Sequence, residues 1–212
     1  MPEDQRLPLF PLGIVLLPQE PVPLHIFEPR YKEMIGRCLD EDIPFGILYA
    51  SETALAEVGC TARVRRVITR YADGRMDIVV VGEKRFRTLA IHRDLAYLTA
   101  DVVDVAEPAA AAPEASALRT RVIAQHMRLL EMAGEPLRPE HYDTFAHTSY
   151  FVGRNAGLEH DQKQHLLELP TEAERLGFLA AHLQRMLARV ERVRQLHDLA
   201  RGDGHTGDPP TP

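Results

Sequence analysis

Ten histidines make metal ligation the first chemistry to test on this chain. The closest groupings are His141, Asp143 and His147, and the pair His160 and His165. Two imidazoles reach one metal from a helix when they stand four residues apart, as in H-E-x-x-H, because that spacing puts both on one face. His141 and His147 stand six apart, nearly opposite across a helix. Cys38 and Cys60 are the only cysteines, too few for a four-thiolate zinc site, and both read as small buried hydrophobes. Nucleophilic catalysis lacks a frame as well. There is no G-x-S-x-G elbow, and Ser149 stands between Thr148 and Tyr150 in a helical stretch. No G-x-x-x-x-G-K-[ST] loop occurs, so no nest of backbone amides would cradle a triphosphate. The sequence predicts no catalytic residue, no metal and no cofactor.

Binding chemistry is better represented. The block His25-Ile26-Phe27-Glu28-Pro29-Arg30-Tyr31 mixes aromatic, acidic and basic groups where a strand would meet a helix. Its functional reading is the rim of a peptide-binding groove, with His25, Phe27, Glu28, Arg30 and Tyr31 as contacts and Arg85 joining them. Its structural reading, the one preferred here, has Phe27 and Tyr31 in the core, Glu28 capping the helix and Arg30 paired with a nearby acid. Arg63, Arg65, Arg66 and Arg70 form a basic strand face, extended by Lys84, Arg85 and Arg87. Such a face could meet nucleic acid, but it also suits a solvated strand that resists aggregation. A formal net charge of −6 opposes binding of phosphates by bulk charge.

These groups need elements to hold them. Residues 7–31 are apolar, yet prolines at 8, 11, 18, 21, 23 and 29 forbid a helix through most of that stretch. Short extended pieces joined by turns follow, ending at a helix from about 29 to 39 with Pro29 in its first turn. Tyr31, Met34, Ile35, Cys38 and Leu39 share one face of it. Strands are predicted at 44–49, 63–71, 76–81, 86–91 and 97–105. Asp73-Gly74 supplies a tight type I′ turn between the second and third of these. An alanine run bounded by prolines at 108–113 reads as a linker. Helices are predicted at 114–132, 140–153, 159–169 and 171–200, the last opened by a Thr171/Glu174 capping box. Leu176, Leu179, Leu183, Met186, Val190 and Val193 make an apolar seam along it, suited to packing inside the same lobe or to a homodimer. The Gly, Asp, Pro and Thr residues at 202–212 read as a disordered tail. The run at 7–31 is too short and proline-rich to span a bilayer, and the start of the chain lacks a basic signal-peptide region. A cytoplasmic protein with reduced thiols is expected.

Several blocks, taken in order, resemble the N-terminal substrate-binding domain of the Lon family of ATP-dependent proteases. They are Pro8-Leu9-Phe10-Pro11-Leu12, Leu24 to Tyr31, Pro44-Phe45-Gly46, Val58-Gly59-Cys60, Asp73-Gly74-Arg75, Gly82 to Arg87, Lys163 to Glu168 and Glu174-Arg175-Leu176. The resemblance implies an α+β fold: a PUA-like β pseudo-barrel with one inserted helix over 1–107, then an all-helical bundle with a long final helix over 114–201. It implies a stand-alone, non-enzymatic module for protein quality control that binds peptide or unfolded protein segments. Such a segment would lie in an apolar groove between barrel and bundle, aided by hydrogen bonds to a strand edge. An interaction protein working through its C-terminal helices and an RNA-binding PUA-like protein are the alternatives.

Overall fold

In the computed structural model, which describes residues 6–106 and 113–202, a strand-rich half precedes a helical half. The proposed linker lies outside the described residues except for Pro113, which opens a helix, and so does the proposed tail beyond Gly202. The strands are β1 (Leu7–Leu12), β2 (Pro21–Ile26), β3 (Phe45–Tyr49), β4 (Val58–Arg70), β5 (Met76–His92) and β6 (Leu98–Asp104). Helix α1 (Pro29–Asp40) lies between β2 and β3. Downstream come α2 (Pro113–Ala133), a 3-10 turn (Pro139–Thr144), α3 (Thr148–Gly153), α4 (His160–Glu168) and α5 (Glu172–Gly202).

The sheet runs β2-β5-β4-β3-β1-β6, and a further β5–β6 pairing closes five of the strands on themselves. Only β1 and β3 run parallel; the other pairs are antiparallel. The predicted strands at 76–81 and 86–91 are one continuous β5, whose first half pairs with β2 and whose second half pairs with β6. Register shifts in β4 and β5 mark bulges that let so long a hairpin coil around the barrel.

Proline is normally excluded from a central strand, yet β1 lies between β3 and β6 and holds Pro8 and Pro11. The stagger of its neighbours resolves this. Pro8 pairs only with β6 and Pro11 only with β3, so each can turn its donor-free nitrogen to an unpaired side. The turn between β4 and β5 also differs from expectation. Only Gly74 has positive φ (82°), and Tyr71 N–H donates to Arg75 C=O, so three residues close the hairpin instead of a two-residue type I′ turn.

Helix α1 buries Tyr31, Met34, Ile35 and Cys38 against Phe10, Phe45 and Ile78, plugging the barrel as its apolar face predicts. A second core gathers α2, α3, α4 and α5 around Tyr142, Phe151, Leu166, Leu179 and Leu183. Barrel residues Val15, Leu17 and Val58 belong to this second core, while Leu16 points into the first. The loop before β2 thus straddles both. It can lie so close to β5 because position 82 is glycine: a Cβ there would stand 2.2 Å from the Leu17 carbonyl oxygen. The capping box at the start of α5 forms, with Thr171 Oγ1 accepting from Glu174 N–H and Glu174 Oε2 accepting from Thr171 N–H. The predicted helix at 140–153 is instead the 3-10 turn and the short α3, with a break at residues 145–147.

Candidate functional site

The β2–α1 junction and the β4–β5 turn meet at one end of the barrel. Register places His25 opposite Asp77, with Thr69 on the other side of the same aspartate. A 2.6 Å hydrogen bond joins His25 Nδ1 to Asp77 Oδ1, and the Tyr71 hydroxyl donates to Oδ2 at 2.7 Å. Those two partners, Tyr71 first, hold the Asp77 carboxyl below its usual range, and the same bond raises the Tyr71 phenol. The Phe27 ring stacks on His25 at 5.9 Å, and Tyr71 meets His25 edge-on at 6.2 Å. Asp77 thereby fixes two rings of a three-ring surface.

That surface is open. Phe27 is 58% exposed, Tyr71 39%, and Ile68, in a bulge of the same hairpin, 53%. A phenylalanine this exposed has no packing reason to be held in place. The expectation that Phe27 fills the core is therefore corrected. Its neighbour in the block does the filling: Tyr31 is buried, with its ring 4.1 Å from Phe10. Charges ring the aromatic surface. Arg30 donates to Glu28 at 2.9 Å and lies over the Tyr31 ring, and Arg75 donates to Asp73 at 2.7 Å and lies over Tyr71. Glu28 is the N-cap residue of α1 by position, but its side chain caps no N–H.

The structure thus brings His25, Phe27, Glu28 and Arg30 together at the surface, with Tyr31 beneath them. Arg85 is elsewhere, eight residues further along β5, ~26 Å at strand rise. It is 1% exposed. Its Nη1 donates to the Leu167 and Leu169 carbonyls and its Nη2 to those of Ala106 and Pro170. It joins barrel to bundle. Tyr71 and Asp77 were not singled out from the sequence. Their signal was the Asp73-Gly74 turn, which sets residues 71 and 77 near each other; the placement of β2 beside them was not readable.

The outer edge of β2 bears on how a chain could be held. A ladder through Pro21 and Pro23 takes its donors from Val22, Leu24 and Ile26. On the opposite side, which β2 shares with no strand among the described residues, His25 is the one residue of β2 that offers an N–H. The expected help from strand-edge hydrogen bonds has little to work with here. Between barrel and bundle the described residues leave a cleft of about 370 Å³, bordered by Pro18, Glu83, Lys84, Val105 and Tyr150. Around it the halves are closed together by Arg85, by Lys163 to Glu20 at 2.7 Å, and by Gln164 to the Val58 carbonyl. Among the described residues, no three potential metal-binding side chains cluster, and no helix is long and apolar enough to cross a membrane.

A family model for the ATP-dependent protease La (LON) substrate-binding domain matches residues 6–185. The chain belongs to that family. Lon protease 2 of Syntrophobacter fumaroxidans is 23% identical over 207 residues, which are 92% of this chain and 26% of that protein. The chain therefore spans about a quarter of that relative's length, and it matches a substrate-binding domain, not the catalytic modules of a Lon protease. Among solved structures, the Lon N-terminal domain protein from Xanthomonas campestris is 25% identical, with a TM-score of 0.65 over 84% of this chain and 98% of that one. The N-terminal domain of the Mycobacterium avium complex Lon protease superposes with a TM-score of 0.71 at 23% identity, over 85% and 98%. A Lon N-terminal fold and a Lon-type substrate-binding family are thus shown, in agreement with the α+β architecture above.

Proposed function

We propose that this Lon-type domain is a non-enzymatic binder of extended or unfolded protein segments, and that the aromatic surface of Phe27, His25 and Tyr71 is where it holds them. The observation that carries the reading is the exposed, stacked Phe27 on a histidine pinned by Asp77. Aromatic side chains with little freedom left to lose are efficient contacts for an apolar side chain of a partner. Glu28, Arg30, Asp73 and Arg75 then offer either charge to flanking residues of the segment. Binding of unfolded chains is weak per unit area, since the ligand must be ordered. The unpaired, buried Cys38 and Cys60 suit a reducing compartment such as the cytoplasm.

The basic strand face supports the RNA alternative less well. Arg63 already sits on Asp42 and Glu83, Arg87 on Glu57 and Lys84 on Asp104, so phosphates would have to displace carboxylates. The test is fluorescence anisotropy with labelled, unstructured apolar peptides. Phe27→Ala is expected to weaken binding about tenfold, the ~1.4 kcal/mol of a modest hot spot, with no change in melting temperature. Unchanged peptide affinity in that variant would overturn the assignment of the site. A steep salt dependence of binding to single-stranded RNA would favour the alternative.

A further inference from the structure

The last turns of α5 present a second surface. Helix α5 packs on α2, and its core side is made by Leu176, Leu179, Leu183 and Leu187. Directly opposite, Arg185, Arg189 and Arg192 stand exposed at i, i+4 and i+7, a row about 10 Å long at helical rise. Elsewhere in the molecule arginines commonly sit on carboxylates, as Arg6, Arg37, Arg63, Arg75, Arg87, Arg119, Arg128 and Arg175 do. These three have no carboxylate within 4.0 Å among the described residues. Nearby Glu191 is taken by Arg128, and Glu159, on the rim of the same groove as Arg185 and Arg189, stands more than 4.0 Å from them. From 184 to 197 the helix carries four arginines against a single glutamate, in a chain whose net charge is −6. The row runs on into Val193 and Leu196, 60% and 61% exposed. The apolar seam along this helix therefore turns outward at its far end.

We infer that this outward face of α5 docks an acidic amphipathic helix of another protein, with carboxylates at i, i+4 and i+7 against the arginine row and an apolar side chain over Val193 and Leu196. The arginine fork matches a carboxylate with two parallel hydrogen bonds, and carboxylates at helical spacing meet all three arginines from one rigid element. A second copy of this chain is the wrong occupant. Parallel pairing on this face sets each arginine against itself, and antiparallel pairing sets Arg185 against Arg192, so like charges meet in both. The homodimer considered from the sequence is opposed by charge at the very place where apolar residues would invite it. Nucleic acid is disfavoured too, since the face offers exposed aliphatic groups and no ring on which a base could stack.

The test uses a labelled 21-residue helical peptide of Ala, Gln and Leu carrying three Glu at i, i+4 and i+7, with anisotropy read on the full chain. Saturable binding is expected, lost by at least tenfold in Arg185→Glu/Arg189→Glu/Arg192→Glu and regained by that variant with a peptide in which Lys replaces the three Glu. The row is exposed, so the melting temperature of the variant should hold, and a native-like circular dichroism melt verifies it. Equal affinity for unstructured polyglutamate or for single-stranded RNA would overturn the proposal, leaving a generic polyanion patch. So would absence of binding, or self-association in sedimentation that depends on these arginines. Phe27→Ala should leave this binding untouched, which separates this surface from the aromatic one.

Discussion

Two aromatic residues four positions apart do opposite work. Tyr31 is buried against Phe10, and its loss leaves a cavity in the barrel core. Tyr31→Ala is expected to lower the free energy of unfolding by ~3–5 kcal/mol, a large part of an ordinary domain's stability, as read by urea denaturation. Phe27→Ala should stay within ~0.5 kcal/mol of the parent in the same measurement, because its ring is mostly in water. The block they share announced that something aromatic happens at a strand-to-helix junction. It could not say which ring faces inward, because that depends on where Phe10 lies, and Phe10 is brought there by a strand at the other side of the barrel. For Tyr71 and Asp77 the Asp73-Gly74 turn signals their closeness but not their role, which comes from β2 lying beside β5, a pairing between segments fifty residues apart. Arg85 looked like a surface cation among Lys84 and Arg87. Alternation along β5 would set it on the same face as Arg87; what buries it is the bundle, whose carbonyls at 167, 169 and 170 it reaches.

At the scale of elements, the contact of α2 with the 3-10 turn and α3 carries a pH dependence. His126 of α2 is buried beside the Tyr142 hydroxyl, 2.8 Å from it, and near the Phe151 ring. Burial, helped by the charge of Arg154, pulls its pKa from 6.5 down to about 4. The unfolded chain therefore takes up a proton below pH 6.5 that the folded chain refuses until about pH 4, so stability is full above 6.5 and falls as pH drops between the two. The loss should approach ~3 kcal/mol, at 1.36 kcal/mol per unit. Denaturation at pH 7, 5.5 and 4 would show it, and His126→Gln should flatten the part of the profile between 6.5 and 4. Glu172 works in the same direction at lower pH. Burial alone would raise it, but hydrogen bonds from His147 and Ser149 and the charge of Arg175 outweigh burial and hold it below 4.5, so protonating it also destabilises. Helix and strand periodicity found most of these elements. It missed the break at residues 145–147, where His147 ends extended before α3, because no glycine or proline marks it.

Taken whole, the molecule is a barrel and a helical bundle sharing one seam. A reading of strands followed by helices suggested two lobes, and proline and alanine at 108–113 suggested where they part. What the residue pattern did not reveal is how much the barrel lends to the bundle. Val15, Leu17 and Val58 pack among the helices, and Arg85 reaches four carbonyls, three of them at residues 167–170. Residues 1–107 produced alone are expected to lack a cooperative thermal transition, since they would expose those apolar side chains and a charged group buried in the full chain. A well-dispersed amide NMR spectrum of that fragment would contradict this. In the full chain, Arg85→Lys should reduce stability by more than ~2 kcal/mol, because one ammonium cannot span four acceptors and each hydrogen bond from a charged donor contributes ~1.5–3 kcal/mol. Its effect on peptide binding should be no larger than that loss explains.

The bare outer edge of β2 has a consequence for selectivity. A binder that grips through a free strand edge reads the client's amides, which every protein has, and risks being extended into a fibril by the very chains it meets. With Pro21 and Pro23 on that side, β2 denies them a template. What is left there for a client's backbone is the His25 N–H and three carbonyls, too few donors to continue a ladder, so side chains carry most of the recognition. Peptides N-methylated along their backbone should then bind as well as their parents, and mirror-image D-peptides of apolar composition should bind nearly so. The surface would be blind to backbone chirality and alert to greasiness, tasting a client without being seeded by it.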